Sequence, residues 1–354
     1  MTALTTPKQL LDAGLVSPDR GEELEAVAAR YAISVTDTVA MLIDPTDPAD
    51  PIARQYVPDA AELNRLAGEM DDPIGDHPHS PVEGIVHRYP DRVLLKAVHV
   101  CPVYCRFCFR REMVGPEGDG TLSGAALEAA FGYIAAHPEV WEVIITGGDP
   151  LVLSPRRLET IMRGLAAIGH VKVVRFHSRV PVADPARIDD ALVAALTASG
   201  KTVYVALHAN HPRELTAEAE EACRRLIAGG IAMISQSVLL RGVNDDPAVL
   251  ASLMRRFVEM RVKPYYLHHP DLAPGTSHFR LSIEEGRAIV SEMRRQVSGL
   301  CWPAYILDIP GGHGKVPLDE SPVMALDDGS FQVTDRNGGV HGYADPVDGE
   351  GEQG

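Results

Sequence analysis

The stretch CPVYCRFCFRR, residues 101–111, sets Cys101, Cys105 and Cys108 at C-x3-C-x2-C and follows them with two arginines. Structural zinc sites close a tetrahedron with four ligands, typically from paired half-sites. Here the second half is missing, because Cys223 and Cys301 lie far off with no Cys or His at ligand spacing. A disulfide framework fits no better: five cysteines is an odd count, and a long chain without a signal peptide reads as the product of a reducing cytoplasm. The remaining thiolate chemistry is an iron-sulfur cluster, which ordinarily takes four cysteines. Three leave one iron open to a small molecule, so the spacing points to a cluster that does chemistry rather than one that only stores an electron.

Outward from this stretch the chain alternates apolar runs with amphipathic segments. The runs are VLLKAVHV (93–100), EVIITGG (142–148), VKVVRFHS (171–178), TVYVALHAN (202–210), MISQSVLL (233–240), PYYLHHP (264–270) and AYILDIP (304–310). Helical segments are expected at 123–137, 155–168, 184–198, 214–229, 247–261 and 282–298. Such alternation argues for parallel strands joined by crossover helices. Both an open sheet and a barrel satisfy it, but the chemically loaded residues follow the C-terminal ends of the expected strands, which is how a barrel builds its mouth. The expected fold is therefore α/β, a TIM-like partial barrel over 86–317.

Residues 1–85 read as short helices and loops, with Ser17 as an N-cap ahead of Pro18, and DPTDPADP (44–51) is a turn-rich connector. Residues 318–345 read as a small β meander broken by Asp-Asp-Gly and Asn-Gly turns. The acidic, glycine-rich end at 346–354 is expected to be disordered. With 33 Lys+Arg against 49 Asp+Glu the net charge is −16. That balance argues against nonspecific nucleic-acid binding, which depends on cations neutralising phosphates, and it also serves simple solubility. No run of about 18 apolar residues is present, so no membrane span is expected.

Four further motifs carry chemistry, each with a plainer alternative. In TGGDPL (146–151), Gly147 and Gly148 allow close backbone approach to a ligand and Asp149 can accept from an ammonium group; the alternative is a tight strand-to-helix turn. PGGHGKVP (310–317) is no phosphate loop, because Val316 and Pro317 follow Lys315 where Ser or Thr and a helix are needed. A lysine in such a loop is either solvated or held beside an aldehyde to form a Schiff base. Arg88 and Arg92, in HRYPDR just before the first expected strand, are solvated cations or a paired fork for a phosphate. Asp271 and Asp308 sit at the ends of apolar runs as caps, or as two carboxylates around an ammonium group, with Arg110 able to hold a carboxylate bidentately. Asn210 and Gln236 are candidate polar contacts at the mouth. His268 and His269 alternate faces along a strand, which disfavours a shared metal.

HRYPDRVLL (87–95), CRFCFRR (105–111), TGGDPL and PGGHGK (310–315) together resemble the lysine 2,3-aminomutase branch of the radical S-adenosylmethionine (SAM) enzymes, over roughly residues 80–330. The resemblance implies a (β/α)6 partial barrel and a [4Fe-4S] cluster on Cys101, Cys105 and Cys108, with SAM chelating the fourth iron. It implies that Gly147, Gly148 and Asp149 meet the SAM amino group and that Lys315 binds pyridoxal 5'-phosphate (PLP), whose phosphate suits Arg88 and Arg92. Arg110 is then assigned to the substrate α-carboxylate, and Asp271 and Asp308 to the lysine side-chain ammonium. His313 stands where the family loop commonly has glycine. In the implied reaction a reduced cluster cleaves SAM, the resulting radical takes hydrogen from C3 of lysine, and nitrogen migrates from C2 to C3 to give β-lysine. An electron donor such as flavodoxin or ferredoxin is implied, and a homo-oligomer is compatible.

Longer family members carry a C-terminal zinc-binding cysteine cluster; this chain has no cysteine after Cys301. It shares that feature with relatives that make (R)-β-lysine for elongation factor P, the alternative within the enzyme class, though those generally lack the Asp308 equivalent. From another class comes a non-catalytic electron-transfer or sensing protein, for which Lys315 and the aspartate pair would have no use.

Overall fold

The computed structural model describes residues 3–114, 120–319, 321–328, 330–335 and 338–345. Nine strands form one curled sheet in which spatial order follows chain order. β1 (Ile85–Tyr89) and β2 (Arg92–Val98) make an antiparallel hairpin. From β2 the sheet continues in parallel through β3 (Glu142–Gly147), β4 (Val173–Ser178), β5 (Thr202–His208), β6 (Ala232–Val238), β7 (Lys263–His268) and β8 (Ala304–Asp308). β9 (Lys315–Pro317) then returns antiparallel along β8. Strands β2 to β8 with their crossover helices are the expected half-barrel.

β3 and β4 are buried almost throughout their length, as befits parallel strands covered on both faces. The six crossover helices all start at a side-chain cap: Ser123 before Gly124–Ala135, Ser154 before Pro155–Ala166, Asp189 before Asp190–Thr197, Thr216 before Ala217–Ala228, Asp246 before Pro247–Glu259 and Ser282 before Ile283–Gln296. Each cap satisfies an orphan backbone N–H and contributes on the order of 1 kcal/mol. These caps also explain why the third and fourth helices start later than the expected 184 and 214. The residues ahead of Asp189 and Thr216 form short turns at Pro185–Arg187 and Pro212–Glu214 instead.

Two differences bear on the site. The first strand begins at Ile85 rather than near 93, because Pro90 and Asp91 form the turn of a hairpin that places Arg88 within β1 and Arg92 at the head of β2. Ser17 does occupy the N-cap position of the turn Pro18–Arg20, but its hydroxyl bonds Asp19 rather than a backbone N–H.

The N-terminal segment folds into short helices, among them Pro7–Asp12, Gly21–Ala28 and Pro51–Tyr56, around a small core of its own. That core also takes in Val103 from the cysteine stretch and Ala183 from beyond β4, so the segment is packed onto the barrel mouth. At the other end β10 (Val323–Ala325), β11 (Phe331–Thr334) and β12 (Val340–Tyr343) form a separate antiparallel sheet, the expected meander. Gly329 and Asn337 of its turns, and the tail at 346–354, lie outside the described residues. No helix among the described residues is long and apolar enough to cross a membrane.

Candidate active site

The cysteine stretch leaves β2 at Val98 and is held by backbone on one side and by the N-terminal segment on the other. Gly148 N donates to Val98 O at 2.6 Å and Asp149 N to Val100 O at 3.0 Å. Gly147 has φ +117°, a conformation side chains rarely adopt, and a Cβ on Gly148 would collide with the Val100 carbonyl. The GGD glycines are therefore demanded by the chain itself, which presses this turn against the residues just ahead of Cys101. Asp149 is fully engaged as well, accepting from Leu151 N, Ser178 Oγ, Arg179 N and Val180 N. The tight-turn role is thus present in the fold, alongside whatever contact the turn makes with a ligand.

On the other side Tyr104 N donates to Ser34 O (3.1 Å), Ser34 Oγ to Pro102 O (2.8 Å) and Arg106 N to Gln55 O (2.8 Å). The buried Glu62 carboxylate takes Arg106 through Nε and Nη2, at 3.0 and 2.5 Å, and Arg111 as well. Burial alone would raise the Glu62 pKa, but the two guanidiniums outweigh it and hold the carboxylate below its usual range. Glu62 was not legible as a site residue, because its partners lie 44 and 49 positions away.

Cys105 and Cys108 face the main cavity, and all three cysteines line a recess closed by Tyr31, Tyr104 and Arg111. None is paired in a disulfide. Burial pushes the Cys105 thiol up to about 11 and raises those of Cys101 and Cys108. Binding of iron would displace these protons. Among the described residues no three His, Cys, Asp or Glu converge on one metal ion. Ligands of a cubane cluster need not converge, since each thiolate holds a different iron, and an all-sulfur donor set suits iron-sulfur chemistry.

The main cavity runs into the barrel and, counting its open mouth, offers about 1360 Å3 of unfilled space. Arg88, Arg92, Arg110, Asn210, Gln236, Asp271, Asp308 and Lys315 all line it. The barrel thus gathers most of the residues singled out in the sequence around one space.

Lys315 heads β9, where its Nζ donates to both Asp308 oxygens, at 2.5 and 2.6 Å, and its backbone N donates to Tyr89 Oη on β1 at 3.0 Å. The bond to Tyr89 links the two edge strands of the sheet, β9 and β1. Asp308 also faces His268 Nδ1 at 3.3 Å. Burial works to raise its pKa, yet the His268 hydrogen bond and the Lys315 charge win, and the carboxyl stays well below its normal range. Asp271 is the opposite case: among the described residues no cation pairs with it, and burial together with the neighbouring Asp308 charge pushes it up to about 7.

Arg110 donates through Nε to the fully buried Asp76 at 2.9 Å and stacks over Phe109, 4.6 Å from the ring centre. Its two terminal nitrogens have no protein acceptor among the described residues, so a planar fork faces the cavity. Arg88 donates to Ile74 O and lies 3.6 Å from the same Asp76. Arg92 pairs with Asp91 and covers the Tyr89 ring at 3.7 Å. Asn210 is largely committed within the protein: its side chain donates to Gln55 Oε1 and accepts from Val238 N. Gln236 Oε1, by contrast, is buried without a partner, as are Nε2 of His177, His208 and His268, all lining the cavity. Burial lowers the pKa of all three histidines, to about 3 for His208, and so favours the neutral ring in each. Asp76, Tyr89 and His177 were not picked out from the sequence, and His268 was considered there only as a metal ligand.

Residues 95–253 match the model of the radical SAM superfamily. Over 329 residues the chain is 39% identical to L-lysine 2,3-aminomutase of Clostridium subterminale, covering 92% of this chain and 79% of that one. The chain belongs to the lysine 2,3-aminomutase family of radical SAM enzymes. L-lysine 2,3-aminomutase of Escherichia coli is 36% identical, covering 89% of this chain and 92% of that relative. Glutamate 2,3-aminomutase of Clostridioides difficile is also 36% identical, covering 84% and 70%. Membership in this aminomutase family brings with it a [4Fe-4S] cluster and SAM, and the sulfur donor set at 101–108 fits them.

Proposed function

We propose that this aminomutase-family enzyme is a PLP-dependent 2,3-aminomutase converting lysine to β-lysine. The observation that carries the reading is the pairing, around one cavity, of a free guanidinium fork on Arg110 with the two carboxylates of Asp271 and Asp308. Arg110, oriented through Nε by buried Asp76, would hold the α-carboxylate bidentately. Asp271 and Asp308 would enclose the far ammonium group of a diamino acid. An acidic substrate would bring a third negative charge to that end, which disfavours glutamate.

Lys315 is the lysine that would attach PLP, with Arg88 and Arg92 facing the same space as candidates for its phosphate. When bound, PLP supplies a conjugated ring that delocalises an unpaired electron, and the cluster with SAM supplies the radical that starts the reaction. The protein binds the substrate at both ends, fixes its distance from the sulfur-lined mouth and excludes water from the buried interior. Cys101, Cys105 and Cys108 would be the three cluster ligands, Gly147, Gly148 and Asp149 the turn at the SAM amino group, and Gln236 a polar contact for a cofactor through its unpaired Oε1. An external reductant such as flavodoxin or ferredoxin completes the system.

Anaerobic incubation of the reconstituted protein with lysine, SAM, PLP and dithionite, followed by chiral identification of the product, tests the reading. β-Lysine is the expected product, and its configuration separates the S from the R enzyme. Turnover of glutamate but not lysine would reject the assignment.

A further inference from the structure

Three acceptors, not two, border the ammonium end of the cavity. His268 is the last residue of β7, nearly fully buried, with Nδ1 3.3 Å from Asp308 Oδ2 and Nε2 buried without a partner. Its neighbour His269 turns the other way and meets Tyr305 Oη at 2.8 Å, so only His268 faces the site. A neutral imidazole has one N–H and one lone pair. With Nδ1 turned toward the Asp308 carboxylate, its proton belongs there, and the lone pair at Nε2 is left facing the cavity that Asp271 and Asp308 also line. An ammonium group has three N–H donors and no acceptor.

We propose that His268 sets the ammonium specificity of this site, fixing Asp308 through Nδ1 and offering Nε2 as the third acceptor beside Asp271 and Asp308. The inference rests on the lysine reading and deepens it. His268 acts partly as a positioning residue, and partly as a contact that a side chain ending in methyl cannot use. A carboxylate pair alone would attract any cation, whereas three acceptors match the donor count of a primary ammonium. An unmet lone pair in a buried site also penalises a ligand that brings no donor.

The test measures equilibrium binding of lysine and of norleucine, which ends in methyl where lysine carries its ammonium group, to anaerobic holoprotein by calorimetry. His268→Leu removes both roles, and His268→Asn keeps an amide donor for Asp308 but loses the ring acceptor. The ratio of lysine to norleucine affinity is expected to fall at least tenfold in His268→Leu and at least threefold in His268→Asn, with SAM affinity unchanged. A merely structural histidine would weaken both ligands alike and leave the ratio in place. Should His268→Leu fail to fold, the Asn variant decides alone. Wild-type protein that converts lysine, with the ratio unchanged in the variants, overturns this inference and spares the lysine reading; wild-type protein that does not convert lysine removes both.

Discussion

Lys315 Nζ bonds both oxygens of Asp308, at 2.5 and 2.6 Å. The residue proposed to attach PLP thus neutralises, in the cofactor-free chain, one of the carboxylates proposed to receive the substrate's ammonium group. Lys315→Ala is expected to abolish the visible absorbance of bound PLP and leave the iron content unchanged, since the cysteines lie on a different loop. Borohydride reduction followed by peptide mapping locates the attachment, and a pyridoxyl group on Lys263 or another lysine would refute it.

Asp271→Asn and Asp308→Asn each remove one charge from the proposed seat. Stripping one partner from a buried charge pair costs about 3 to 5 kcal/mol, roughly two to four powers of ten in kcat/KM for lysine. SAM affinity should hold. If both variants keep near-wild-type kcat/KM, the carboxylates are structural.

Asp271 also predicts a pH dependence. Its folded pKa of about 7 lies above the ordinary carboxylate value, because burial and the Asp308 charge disfavour ionisation. The folded protein therefore holds a proton that the unfolded chain has lost, and this group's contribution to stability declines as pH rises from about 4 to about 7, then levels. Substrate binding runs the other way, since an ammonium group needs the ionised carboxylate. Lysine affinity is expected to rise by up to about tenfold per pH unit below 7 and flatten above it. Calorimetric titrations from pH 6 to 8 check this, and Asp271→Asn should remove the slope.

Glu62→Ala is expected to leave Arg106 and Arg111 buried without their shared anion, at about 3 to 5 kcal/mol of stability. Since Arg106 lies between Cys105 and Phe107, cluster content should fall with it. Cys101→Ala, Cys105→Ala and Cys108→Ala should each abolish the cluster and SAM cleavage, while Cys223→Ala and Cys301→Ala should keep both. Iron content and melting temperature, read together, separate lost ligands from a lost scaffold.

Most of the barrel was legible because its signals are local. Apolar runs name the strands, and Ser, Thr or Asp caps name the helix starts. The cavity set was partly legible for the same reason, since Arg110 stands at fixed spacing from a cysteine and Asp271, Asp308 and Lys315 lie at or beyond the end of an apolar run. Glu62 and Asp76 were not, because an acid in a loop carries no local mark of the arginine it will meet. His177 was hidden by periodicity, since a polar residue near a strand's end looks alike whether it faces the barrel or the helices, and the same periodicity argued His268 out of a metal site without showing which way it faced. The β1 hairpin was missed because HRYPDR was read for its two arginines, whereas its Pro90 and Asp91 form the turn between β1 and β2.

Glu214 receives Gln55, Tyr56, Arg179 and the backbone of Asn210 and His211, joining the N-terminal segment to the end of β5. Tyr56 finds this partner 158 positions downstream. The ledge at Gln55 that supports Arg106, within the cysteine stretch, is therefore not secured until the chain has been made through residue 214. Strands can join the sheet one after another as they emerge from the ribosome, because each neighbour in space is the neighbour in sequence. The cysteines thus lie early in the chain, while the ledge that seats them is completed only after β2 to β5, four parallel strands, have been made.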